Sequence, residues 1–154
     1  MADRKILVSV IGGHKAGIDA LKAAERIGEI IAEEKCVLVC GGLTGIMEAA
    51  CKGAKNKNGL TVGIIPGEDK KDANQYVDIA IATGMGFSRN TLVAATADIV
   101  VALPGEYGTL SEIGFALNAK KPVYGFDTWD IKGVKKLKSY EALKDILRKA
   151  KGVQ

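Results

Sequence analysis

"DIVVALPGEYGTLSE", residues 98–112, runs from five consecutive apolar residues, Ile99 to Leu103, through a proline–glycine turn into helix-compatible sequence. An apolar run without polar alternation marks a strand covered on both faces, and such strands belong to parallel sheets joined by helices. Similar runs stand at 6–11, 36–40, 61–65, 77–81 and 122–126, with longer helix-compatible stretches between them. Across 16–33, Ile18, Leu21, Ala24, Ile27 and Ile31 recur at helical spacing, while Lys22, Glu25, Arg26 and Glu29 fall mostly elsewhere on the wheel. A second helix is expected over 44–57, closed by Asn58-Gly59 with the glycine as left-handed cap. Ser88 is placed to cap a third helix reaching Ala97, and Thr109 or its neighbour begins a fourth that stops near Lys120, before Pro122. Ser139 is the expected cap of a last helix over 140–151, and 134–138 reads as an edge strand whose lysines discourage pairing. Strands alternating with helices predict an α/β fold: a Rossmann-like, doubly wound, mostly parallel sheet of six or seven strands with helices on both faces. At 154 residues, one domain spanning 1–154 buries enough surface for a core.

Composition narrows the class. Hydrophobic residues make up 47% and charged residues 26%, ordinary for a globular protein, and no window approaches the roughly 20 apolar residues a membrane helix needs. The amino terminus runs straight into a strand with no signal-peptide pattern, so the cytoplasm is the expected compartment. Cys36, Cys40 and Cys51 are odd in number and fall in apolar segments, so they read as buried small hydrophobes. With one histidine and no close CxxC pair, no metal site is expected. The net charge of +4 is concentrated at the end: residues 131–154 hold 8 of the 22 basic and 2 of the 18 acidic residues, leaving 14 against 16 elsewhere. A basic terminal helix is most often a solvated face, and aromatics at 5% offer no evident base-stacking platform, so nucleic acid is disfavoured as a partner.

In open parallel sheets ligands bind beyond the carboxyl ends of the strands, where strand order reverses, so the loops that leave strands carry the function. Four are unusual. "IGGHKAG" leaves the first strand with Gly12 and Gly13, which allow close backbone approach or serve a tight turn, and places His14 at the crevice mouth. "CGGLTGIMEAA" uses Gly41, Gly42 and Gly45 to enter a helix, resembling a phosphate-binding turn although it fits neither GxGxxG nor the Walker pattern. "TGMGFSRN" presents Ser88, Arg89 and Asn90, and an arginine at a crevice edge suits planar recognition of phosphate or carboxylate, or a surface salt bridge. In the opening stretch, Gly105 and Gly108 bracket a turn, Thr109 offers a hydroxyl and Glu112 lies one turn into the helix.

Taken in order and spacing, "GGLTGIMEAACKGA", "SRNTLVAATADIVVALPGEYGTLSEIGFAL" and "KKPVYGFDTW" resemble the LONELY GUY-like (SLOG) superfamily, once labelled "possible lysine decarboxylase", and particularly its branch of molybdenum cofactor carrier proteins. The resemblance covers about residues 5–130. It implies a nucleotide or molybdenum cofactor as bound guest, with no cofactor required for the fold, and a homo-oligomer, dimer or tetramer. In the superfamily's cytokinin-activating phosphoribohydrolases, an arginine and the final glutamate of PGGxGTxxE serve hydrolysis of an N-glycosidic bond. The resemblance carries those roles to Arg89 and Glu112. Asn90 follows the arginine as in the carrier-type relatives, where the hydrolases usually have lysine. No loop places a lysine in the crevice except Lys15, so pyridoxal-dependent decarboxylation has no support.

Glu106 replaces the second glycine of that motif, which implies negative φ at this position and a carboxylate near an anion site. Charges about 8 Å apart at an effective dielectric near 20 interact by roughly 2 kcal/mol, as much as a helix terminus offers an anion. Glu106 is therefore expected to face solvent or pair with a cation, unless the guest presents something other than a free phosphate there. Two functions follow: a binding or carrier protein for a phosphate-bearing small molecule, or an N-glycosidase acting on nucleoside monophosphates. DNA processing is a third class, set against the slight acidity of the body of the chain.

Overall fold

The computed structural model describes residues 2–152. Seven strands form one sheet: β1 (Leu7–Ile11), β2 (Val37–Cys40), β3 (Thr61–Ile65), β4 (Ile79–Ala82), β5 (Ile99–Ala102), β6 (Val123–Gly125) and β7 (Val134–Lys136). All six pairings are parallel, in the order β4-β3-β2-β1-β5-β6-β7. The chain works outward from β1 to β4, then returns to lay β5 on the other side of β1. Strand order therefore reverses between β1 and β5, and the crevice of a doubly wound sheet opens at their carboxyl ends.

Five α-helices, α1 (Ile18–Glu33), α2 (Ile46–Asn56), α3 (Asn90–Thr96), α4 (Tyr107–Asn118) and α5 (Tyr140–Gly152), cover the sheet from both sides. The pleat divides the strand residues between two cores. Val8, Val10, Leu38, Cys40, Val101 and Leu103 pack against α1, α2 and α5. Ile11, Val39, Val100, Ala102 and Val123 pack against α3 and α4. Both faces of the central strands are thus covered, the physical reason for their unbroken apolarity.

The alanines of α2 serve this packing. Ala50 and Ala54 are buried, and Gly28 and Gly53 let α1 and α2 come so close that a Cβ on Gly53 would lie 1.8 Å from the carbonyl oxygen of Glu25. A polar tie closes the layer at the other end. Glu34, beyond the last turn of α1, is buried and holds Arg148 at 2.9 Å and Lys151 at 3.3 Å from α5. Two of the basic residues near the end of the chain therefore have a partner.

Three local expectations need correction. Asn58, at φ 56°, takes the left-handed position after α2, which asparagine tolerates; Gly59 is needed instead for its approach to the side chain of Ala32. Ser88 lies inside a 3-10 turn, Gly86–Arg89, and caps nothing, because the left-handed Gly84 and Gly86 turn the chain before α3 begins. β4 is the outer strand and lacks a helical cover, leaving Ile79 and Ile81 about half exposed. Ser139 does cap α5, through its Oγ to the Ala142 N–H at 3.1 Å.

Candidate functional site

Gly13 ties the switch point together. Its N–H donates to the Pro104 carbonyl at 2.9 Å, joining the loops after β1 and β5, and its own carbonyl accepts from the Ile46 N–H at 3.0 Å, joining the opening of α2. A side chain would break this junction: a Cβ on Gly12 would meet the Ile46 side chain at 2.6 Å. A Cβ on Gly105 would lie 2.0 Å from Thr109 Oγ1 and 2.8 Å from the Gly13 nitrogen. Gly42 and Gly45 have φ of 76° and 69°, a region closed to most side chains, and so turn the β2 loop into α2.

The opening of α4 offers the free donors. Its first intrahelical bond runs from the Leu110 N–H to the Glu106 carbonyl, 3.0 Å, so the amides of Tyr107, Gly108 and Thr109 precede the ladder. The Glu106 side chain does not cap them. A 12-residue helix presents the positive end of its dipole here, the arrangement that favours an anion. By contrast, the Ile46 N–H that opens α2 is used by the Gly13 carbonyl, and in the loop before it the Gly42 N–H is used by Cys40 Sγ at 3.3 Å.

Arg89, Asn90 and Glu112 form the polar floor, and all three are buried. The Arg89 guanidinium donates through Nε to the Ile64 carbonyl at 2.8 Å and through Nη2 to the Gly41 carbonyl at 3.1 Å. Its Nη1 donates to Asn90 Oδ1. Three of its five N–H groups are thus spent on the chain, tying the ends of β2 and β3 to α3 and leaving two for a guest. Asn90 Nδ2 continues the network to Ser111 Oγ at 3.2 Å, which donates to the Gly108 carbonyl at 2.6 Å. The backbone of the α4 opening is therefore braced from the Arg89 side. Glu112 enters no ion pair with Arg89. Burial pushes its carboxyl up and the positive charge of Arg89 draws it only partly back, which leaves the pKa at about 8. Burial likewise lowers the Arg89 pKa, with the charge of Glu112 opposing.

The other residues singled out from the sequence scatter around this floor. Thr109 is buried against Gly105, Gly108 borders open space, and Ser88 is exposed. The side chain of His14 is exposed and its carbonyl accepts from Thr44 Oγ1 at 3.0 Å. Met47 is core, and Glu106 is exposed with φ of −101°. Two residues with direct contacts to the crevice loops lie within "KKPVYGFDTW" and are not singled out by the sequence as site residues. Trp129 Nε1 donates to the Gly105 carbonyl at 3.1 Å and Thr128 Oγ1 to the Leu103 carbonyl at 2.9 Å. Both follow β6, so the rule that placed the other loops at the strand ends was the available signal.

A three-layer parallel α/β fold with glycines in the loops that leave its strands, and with Arg89, Asn90 and Glu112 buried, defines a Rossmann-like protein. The SLOG cluster4 family model matches residues 5–151, and the chain belongs to that family. It is 46% identical over 117 residues to an uncharacterized protein of Archaeoglobus fulgidus, covering 75% of this chain and 76% of that one. It is 30% identical over 120 residues to the cytokinin riboside 5'-monophosphate phosphoribohydrolase of Mycobacterium tuberculosis, covering 72% of this chain and 64% of that one. Among solved structures, the molybdenum cofactor binding protein of Rippkaea orientalis superposes with a TM-score of 0.89 at 35% identity, over 96% of this chain and 98% of that one. The Moco carrier protein of Chlamydomonas reinhardtii does so with a TM-score of 0.87 at 31% identity, over 98% of this chain and 100% of that one.

Proposed function

We propose that the chain is a single-domain cytoplasmic binding or carrier protein for a phosphate-bearing small molecule, a nucleotide or a molybdopterin-type cofactor. The ligand lies across the carboxyl edge of the sheet between β1 and β5. The observation that carries this reading is the cradle at Gly105. No Cβ fits there, and the uncapped amides of α4 open beside it. A phosphate on those amides exchanges water for aligned N–H donors and gains up to about 2 kcal/mol from the helix terminus. Gly105, Gly108 and Thr109 would hold the phosphate, with Arg89 and Asn90 bracing the floor and the two unspent N–H groups of Arg89 available to the guest. A molybdenum cofactor fits these residues as cargo, since its phosphate meets the same donors. The likeness to two molybdenum cofactor proteins supports this choice of guest.

The glycosidase reading is favoured by one observation, the burial of Glu112 beside Arg89. In that reading the ionised fraction of Glu112, which grows as pH rises toward about 8, stabilises an oxocarbenium-like sugar or orients water, while Arg89 assists the departing base. Incubating the purified protein with nucleoside monophosphates and measuring free base separates the two. Base release that disappears in Glu112→Ala establishes the hydrolase; saturable binding without release establishes the carrier; no binding of either kind overturns both.

Self-association is part of the proposal. Phe87 before α3, Leu92 on α3 and Phe115 on α4 are exposed, at 87%, 36% and 42%, and a second copy of the chain is the partner that would cover them. Among the described residues no helix is long and apolar enough to cross a membrane.

A further inference from the structure

One part of the strand-end crevice has no role in the phosphate cradle. A cavity of about 260 Å³ opens at the carboxyl ends of β6 and β7, lined by Asp127, Thr128, Trp129, Asp130, Lys136 and Leu137 among others. Its wall is shared with the cradle, because Trp129 and Thr128 are the residues bonded to the Gly105 and Leu103 carbonyls. The indole N–H is used in that bond, so the ring is oriented and presents only its apolar surface. Tyr107, the first residue of α4, stands with its ring centre 6.5 Å away. Both rings are solvent-accessible, Tyr107 at 80% and Trp129 at 37%. A fixed, accessible indole beside a cavity is a stacking surface for a planar ring.

The polar lining has a matching pattern. Asp127 and Asp130 enter no ion pair among the described residues, and neither does Lys136. Two carboxylates accept only and an ammonium donates only. The cavity therefore asks for a ring edge with several N–H donors and one carbonyl. The 2-amino-4-oxopyrimidine edge shared by pterins and guanine has that pattern: a ring N–H, an amino group and a carbonyl. Adenine presents a ring nitrogen acceptor where the ring N–H would be, and sets it against a carboxylate.

We infer that this cavity is the ring half of the same site and selects a 2-amino-4-oxopyrimidine. Asp127 and Asp130 accept from its N–H groups, Lys136 donates to its carbonyl, and Trp129 stacks on its face. The inference rests on the phosphate cradle proposed above and names the class of ligand that the cradle serves.

Calorimetric titration of the full chain with GMP, neopterin phosphate, AMP and pyrophosphate tests it, beside the variants Asp127→Asn and Asp130→Asn. Asn is a mild replacement at 127, where φ is 52° and asparagine is tolerated. Hydrogen bonds to charged groups are worth enough that GMP or neopterin phosphate should bind on the order of tenfold or more tighter than AMP. Each variant should lose that preference, with AMP binding at least as tightly once the carboxylate set against its ring nitrogen is gone, while pyrophosphate affinity holds. Preference for guanine alone, pterin alone or both identifies the source of the ring, and each supports the inference. Equal affinity for GMP, neopterin phosphate and AMP, unchanged in the variants, overturns the ring cavity and leaves the cradle standing. Variants that weaken all four ligands together also overturn it, since that marks a structural role. If none of the four binds to the wild type, the cradle itself fails and the inference with it.

Discussion

Glu112→Gln tests the electrostatics of the polar floor most directly. The folded protein holds the Glu112 carboxyl at a pKa of about 8, against 4.5 for the free side chain, because burial disfavours its charge more than Arg89 favours it. Between those values the folded state keeps a proton that the unfolded chain has released, so stability falls as pH rises. At about 1.4 kcal/mol per pH unit, roughly 3 kcal/mol is lost by neutral pH and roughly 5 kcal/mol well above the folded pKa. Glutamine keeps the shape and has no proton to lose, so the variant lacks this slope. Urea melts of both proteins from about pH 5 to about pH 9 should show the variant gaining on the wild type throughout, with a margin that levels off past the folded pKa. Parallel curves would mean that Glu112 is not desolvated. A wild type that gains on the variant as pH rises would reverse the sign, and would mean that Arg89 holds the carboxylate ionised.

Four further outcomes follow from the geometry. Affinity for a phosphate ligand should weaken as pH rises through about 8 in the wild type and not in Glu112→Gln, because an anion nearby favours the protonated carboxyl; titration at several pH values reads this. Gly105→Ala forces a Cβ against Thr109 and Gly13, and should cost about 1–3 kcal/mol in denaturant melts and abolish phosphate binding. Burial pushes the Glu34 carboxyl up, but the hydrogen bonds and charges of Arg148 and Lys151 bring it below its ordinary value of 4.5. Its contribution is present above 4.5 and is lost as pH falls through the folded pKa, so Glu34→Gln should lower the Tm at neutral pH, with the difference closing in acid. Phe115→Glu should shift the protein to a smaller species in light scattering while its circular dichroism is retained, if the exposed α3–α4 face is covered by a second copy.

The central sheet was legible because burial on both faces leaves its mark in sequence: β1, β2 and β5 are apolar throughout, and two helical layers require that. β4 shows where this signal ends. Its residues are as apolar as those of a covered strand, yet Ile79 and Ile81 are half exposed, because apolarity records what a strand can bury and not whether a helix arrives to bury it. The four loops were legible from their glycines and their place after strands. What Arg89 does was not. An arginine at a strand end signals a donor, but only the packing of β2, β3 and α3 around it shows that three of its N–H groups go to the chain. Trp129 was missed for a related reason: it looks like an ordinary aromatic until the turn after β6 brings its N–H to the Gly105 carbonyl.

Two glutamates at the opening of α4 explain how a site proposed for an anion tolerates acidic residues. Glu106 stands outside, exposed and without an ion pair among the described residues. There the effective dielectric approaches that of water, and a repulsion of roughly 2 kcal/mol at a dielectric near 20 drops to well under 1 kcal/mol. Glu112 stands inside, where a charge would be felt at full strength, and there burial keeps the carboxyl largely protonated at neutral pH. One carboxylate is screened and the other is mostly uncharged, so neither cancels the attraction of the α4 amides. This division predicts an asymmetry: Glu106→Gln should change phosphate affinity little and only at low salt, whereas raising the pH should reduce it through Glu112 at any salt concentration.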